Sequence, residues 1–92
     1  MENRPVAQAM RRKLETALAP LVLEIDDDSA KHAGHAGARA GGESHFSVRI
    51  VSAAFAGKSR VERQRLVHGI LAEELAGPVH ALALALRAPA DS

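Results

Sequence analysis

Five histidines and no cysteine set the chemistry open to this chain of 92 residues. His32 and His35 stand in a glycine-rich stretch, His45 precedes Phe46, His68 lies inside a helical pattern, and His80 follows Gly77-Pro78-Val79. Neutral imidazole is the commonest metal ligand among side chains. Without thiolates it is also the only soft-leaning donor available here. No disulfide, thiol nucleophile or all-thiolate cluster can form. His80 stands where a helix end meets a strand start, a place that can hold a side chain rigidly and leave it exposed. His32 and His35 could reach one metal together, although an HxxH in a loop is a weak signal. Against both stands the ordinary reading, a histidine that caps a helix or is solvated, and on spacing alone it carries more weight. His68 reads as surface or interface packing.

A second constellation is basic. Lys58, Arg60, Arg63 and Arg65 crowd the sequence GKSRVERQR at a helix start. Side chains there can contact phosphates, helped by the backbone N–H groups of the first turn. A solvated helix face with some ion pairs, Glu62 among the countercharges, explains the same residues. Catalytic readings find little support. Asp26, Asp27 and Asp28 are consecutive at a strand end, so they point in alternating directions and do not converge. Ser29, Ser44, Ser47 and Ser59 lack a nucleophile-elbow motif, and no phosphate-binding P-loop pattern is present. The chain is expected not to be an enzyme.

These residues need a scaffold. The stretch from Glu43 to Leu75 supplies its centre: Phe46, Val48 and Ile50 alternate with Ser47, Arg49 and Val51, the period of a half-covered strand. After a sharp turn at Gly57 the period becomes helical. Ser59 and Glu62 form a capping box, and Val67, Ile70, Leu71 and Leu75 make one apolar stripe on a single helix. Gly77 and Pro78 end it. Earlier, Val6, Met10, Leu14, Ala17 and Leu18 form the stripe of a first helix between Pro5 and Pro20. Arg11, Arg12 and Lys13 lie off that stripe and read as solvation. Leu21 to Ile25 reads as a strand, antiparallel to the one from Ser44. Between them, Ser29 to Gly42 has four glycines, two histidines and no apolar period; with its flank it reads as a flexible loop over 29–43. At about fourteen residues it has the length at which functional loops become common. In the last segment, Val79 to Arg87 alternates strictly although Ala and Leu favour helices. The period places Leu82, Leu84 and Leu86 on one face of a strand. The order is α-β-β-α-β, an α+β fold whose three-stranded sheet is covered by helices on one face.

Length and composition bound the rest. A chain this size is one domain, with a core from about residue 6 to 89, and buries roughly 60–70% of its unfolded surface. Phe46 and Phe55 are the only aromatic residues of the Phe, Tyr and Trp type, which argues against base-stacking platforms. The net charge of +1 gives no global steering toward nucleic acid. MENRPVAQAM has no hydrophobic core, so no signal peptide is expected, and the longest apolar run, Val79 to Leu86, is too short to span a membrane. A cytoplasmic protein without a membrane partner is the expectation.

Taken together, these residues resemble the BolA family. The likeness lies in Leu23-Glu24-Ile25 with Asp28-Ser29, Glu43-Ser44-His45-Phe46, Ile50-Val51-Ser52 and Phe55-Ala56-Gly57. It continues in Arg63-Gln64-Arg65-Leu66-Val67, Ala72-Glu73-Glu74-Leu75 and Val79-His80-Ala81-Leu82, and so covers nearly the whole chain. The resemblance implies a fold like the type II KH domain. It also implies pairing with a monothiol glutaredoxin and a shared 2Fe-2S cluster. In that arrangement the glutaredoxin cysteine and a glutathione thiolate hold one side. The BolA-like chain offers the histidine of Val-His-Ala-Leu, here His80, and a ligand from the first strand–strand loop, here His32 with His35 in reserve. Imidazole in place of thiolate raises the potential of such centres, as in Rieske proteins. Alone, the chain is expected to be a monomer or weak homodimer.

Two departures stand out. Gln64 replaces the histidine often found between the two arginines. Phe55-Ala56-Gly57-Lys58 has one glycine, which weakens RNA binding through a GxxG loop. The alternative function is a DNA-binding transcriptional regulator using the Lys58 to Arg65 region. A third reading is a cluster-free interaction module that docks through its helix and last strand.

Overall fold

The computed structural model describes residues 4–28 and 43–91. Helix α1 spans Pro5–Leu18, strand β1 Val22–Asp27 and strand β2 His45–Val51. A 3-10 turn at Ala53–Phe55 leads to helix α2 (Arg60–Ile70), a short helix α3 (Ala72–Ala76) and strand β3 (Ala81–Arg87). The sheet order is β1-β2-β3. β1 and β2 are antiparallel, as expected, and β3 runs parallel to β2. A parallel neighbour needs a crossover, which α2 and α3 supply.

Alternation decides the two faces. Leu23, Ile25, Phe46, Val48, Ile50, Leu82, Leu84 and Leu86 fall in register on one side, against the helices. Met10, Leu14 and Leu18 of α1 and Val67 and Leu71 of the second helical segment close over them. The opposite face carries Glu24, Asp26, Ser47 and Arg49 beside the alanines of β3, with a Glu24–Arg49 ion pair at 3.4 Å. In β3 the period of two overrides helix propensity, because three leucines gain a shared buried face. Ala17 does not join the α1 stripe; it is exposed, on the flank of the helix turned away from the sheet.

The expected single second helix is instead two. The chain breaks at Leu71, whose φ of −102° and ψ of 23° leave the helical region. Leu71 itself is fully buried. Re-aiming the last turn brings Glu74 Oε2 within 2.7 Å and Glu73 Oε1 within 2.9 Å of Lys13 Nζ. Lys13 is therefore a tie between α1 and α3 and not simple solvation. Hydrogen bonds to Glu74 and then Glu73 raise its pKa. Arg11 pairs at 3.7 Å with Glu15, while Arg12 is exposed.

Other sequence signals appear as read. Ser59 Oγ accepts the Glu62 amide at 3.1 Å, and Glu62 Oε1 accepts the Ser59 amide at 2.7 Å. Gly57 has φ +76°, which a side chain would strain. Of the expected loop 29–43, only Glu43 falls within the described residues. It is buried with φ 62°, and its Oε2 accepts the amides of Val6 at 3.1 Å and Ala7 at 3.0 Å. A carboxylate there satisfies the first turn of α1, which has no side-chain cap of its own. Among the described residues, no helix is long and apolar enough to cross a membrane.

Candidate metal centre

The parallel ladder starts at Ser44, which is fully buried. Its carbonyl accepts the amides of His80 at 2.7 Å and Ala81 at 3.2 Å. One residue earlier, buried Val79 donates its amide to the Glu74 carbonyl at 2.9 Å. The backbone of His80 is thus fixed on both sides, and its side chain is left exposed. The register sets His45 opposite Ala81, so His45 and His80 are diagonal neighbours. Their ring centroids lie 6.3 Å apart with 23° between the planes, a stacked pair. His45 is half-buried, and its Nδ1 is 2.9 Å from the Ser44 hydroxyl, with donor and acceptor set by the tautomer.

The adjoining groove, of about 250 Å³, is lined by Asp28, His45, Phe46, Ala81, Leu82 and Ala83. The Asp28 amide donates to the His45 carbonyl at 2.6 Å, and the Asp28 carboxylate accepts the Ser47 hydroxyl. Asp27 meets Arg4 and, at 3.0 Å, the Glu43 amide, while Asp26 is exposed on the open face. Alternation thus sends Asp27 to the opposite side from Asp26 and Asp28, which flank Ser47 on the open face.

Of the histidines singled out from sequence, His80 stands at this corner and His68 is exposed on α2. His32 and His35 lie outside the described residues. His45 is the residue that sequence reasoning missed. The signal was available: a helical crossover makes β2 and β3 parallel, so the residues opening them meet at one end. Among the described residues, no three histidines, aspartates or glutamates converge on a metal position. What the corner presents is a pair of neighbouring imidazoles, His45 and His80, one half-buried and one exposed.

The basic residues occupy the opposite end of the same ladder. Lys58, Arg60, Arg63, Gln64, Arg87 and Asp91 line most of a groove of about 570 Å³ between α2 and β3. Arg65 is exposed and not among the groove's lining residues. Arg63 is heavily engaged. Its Nη1 donates to Asp91 Oδ2 at 2.5 Å and to the Leu86 carbonyl at 3.3 Å. Its Nε donates to the Lys58 carbonyl at 3.1 Å, and its guanidinium lies 6.0 Å from the centroid of the Phe55 ring. The Arg63 hydrogen bond, and next the Ala88 amide, lower the Asp91 pKa. Glu62 is likewise lowered, first by the Ser59 amide.

Comparison with known proteins fixes the family. The family model described as BolA-like protein matches residues 14–91. The chain belongs to that family. It is 54% identical over 87 residues to BolA-like protein 1 of Homo sapiens, covering 95% of this chain and 61% of that protein. The chain thus spans less than two thirds of that relative's length. The BolA domain of SufE1 from Arabidopsis thaliana has the same architecture, with a TM-score of 0.87 and 43% identity over 99% of this chain and 100% of that one. The DNA-binding transcriptional regulator BolA of Escherichia coli is 42% identical over 79 residues, 86% of this chain and 71% of its own length.

Proposed function

We propose that this BolA-like protein is an adaptor that carries a 2Fe-2S cluster jointly with a monothiol glutaredoxin and glutathione. The observation behind this reading is His80: an exposed imidazole on a backbone pinned by a 2.7 Å bond to Ser44, in a chain without cysteine. The cluster would supply redox chemistry or be passed on as cargo. The chain's part is to present one nitrogen ligand at a fixed place and to let the partner complete the coordination. The second ligand in this reading is His32, with His35 in reserve.

Anaerobic mixing with a monothiol glutaredoxin, glutathione, iron and sulfide tests it through visible absorption and circular dichroism. A heterodimer whose spectrum differs from that of the glutaredoxin homodimer is expected. His80→Ala should shorten the lifetime of that species at least about tenfold, since loss of an anchoring ligand exceeds the 10- to 100-fold typical of outer-sphere partners. An unchanged spectrum with His80→Ala would overturn the assignment.

The basic groove favours a second reading, a DNA-binding regulator, as the Escherichia coli relative is named. Lys58, Arg60 and Arg87 are exposed along it. Duplex binding through these residues should weaken with salt, and Lys58→Ala should reduce the salt slope by about 1. Absence of salt-sensitive binding at low ionic strength would remove this reading.

A further inference from the structure

His45 makes no direct claim as a ligand, yet it stands against the ring that does. Ser44 links the two: its carbonyl holds the His80 backbone at 2.7 Å, and its hydroxyl lies 2.9 Å from His45 Nδ1. With His45 half-buried and tied to Ser44, its ring forms a wall beside the exposed His80 side chain. A centroid separation of 6.3 Å and an angle of 23° fall within the range of offset stacking.

An exposed histidine has three staggered χ1 wells open to it, and ligation must select one. A neighbouring ring that favours one well moves that selection into the free protein, so less ordering remains when the ligand bond forms. Ligating histidines ordinarily owe their orientation to a partner of the imidazole. Here the partner is a second ring, that of His45.

We propose that His45 is the positioning residue for His80, its stacked imidazole holding the ligand ring in the rotamer that meets the shared cluster. This role rests on the adaptor reading. It also assigns a function to a residue one strand away from the Val-His-Ala-Leu segment.

The experiment has two arms on the full chain. In the metal-free protein, three-bond NMR couplings report the His80 χ1 angle. In the glutaredoxin heterodimer, circular dichroism reports the lifetime of the cluster. The wild-type protein should show a single His80 rotamer; averaging there would overturn the proposal without any variant. H45A should average the couplings and shorten the cluster lifetime about 2- to 10-fold, the span expected of one aromatic pair. H45F keeps a flat ring and should restore both readouts. A loss in H45F equal to that in H45A would overturn the stacking role, as would an H45A protein with wild-type couplings and lifetime. Failure of the wild-type chain to form any mixed cluster removes the adaptor reading itself. A wild-type cluster that H45A holds equally long removes only the role of His45.

Discussion

The two ends of the β2–β3 ladder are built in opposite ways. At the His45–Ala81 end, backbone groups are bonded and the His80 side chain is left exposed. At the Val51–Arg87 end, side chains are bonded to one another and to carbonyls, and Arg63 alone makes four contacts. A fixed backbone with a presented ring suits one directional bond to a metal. A cation already closed by a carboxylate suits structure more than recruitment, so nucleic acid would have to rely on Lys58, Arg60 and Arg87.

The sharpest way to break this contrast is to remove what supports the histidine end from inside. Leu71 is fully buried at the junction of α2 and α3 and shares the core with Val79, the residue before His80. Leu71→Ala should cost about 2–5 kcal/mol, read by denaturant unfolding. The variant should also shift the His80 and Ala81 amide resonances, because the helix pair sets the approach of Val79. A loss below 1 kcal/mol (about half the lower bound) would mean that the junction relaxes freely and does not brace the corner.

What could be read in advance follows from where the information lies. Local signals sufficed for the Ser59–Glu62 capping box, the turn at Gly57 and the strand character of Ala81–Arg87, because each is decided within a few residues. The break at Leu71 was not legible. No proline or glycine stands at that position, and Leu71 fits the apolar stripe of an unbroken helix; the contacts that the re-aimed turn makes are with Lys13, 60 positions away in the sequence. Glu43 was invisible as a cap for the same reason, since its partners Val6 and Ala7 lie on another element. The stacking of His45 on His80 stands between these cases. It needs only the inference that a helical crossover makes two strands parallel, applied to the two residues that open them.

The groove end can be loosened independently. Ser52 is fully buried, donates its hydroxyl to the Leu18 carbonyl at 2.6 Å and accepts the Ala54 amide at 3.1 Å. It thereby ties the end of α1 to the turn that seats Phe55 beneath Arg63. Ser52→Ala strands a helix-end carbonyl and should cost about 1–3 kcal/mol. The His80 resonances should stay in place, since the perturbation lies at the far end of the ladder. If they move as much as in Leu71→Ala, the two ends are coupled and the contrast drawn above fails.

The smallest expected effect concerns the clasp between Arg63 and Asp91. Its carboxyl titrates below the ordinary aspartate value, chiefly because Arg63 donates to it and secondarily because Ala88 does. A depressed folded-state pKa means that the clasp contributes fully above about pH 3.9, the unfolded value, and is lost as pH falls through the lower folded value. The Ala88 amide shift, followed by NMR, should therefore titrate with a midpoint below about 3.9. Arg63→Gln should return that midpoint toward the ordinary value, and added salt should do so in part, because the pair is partly exposed to screening. A midpoint at or above the ordinary value would show that Arg63 is not held by Asp91. Arg63 would then keep its bonds to the Lys58 and Leu86 carbonyls but stand without a carboxylate countercharge, and the DNA-binding reading would gain a fourth cation beside Lys58, Arg60 and Arg87.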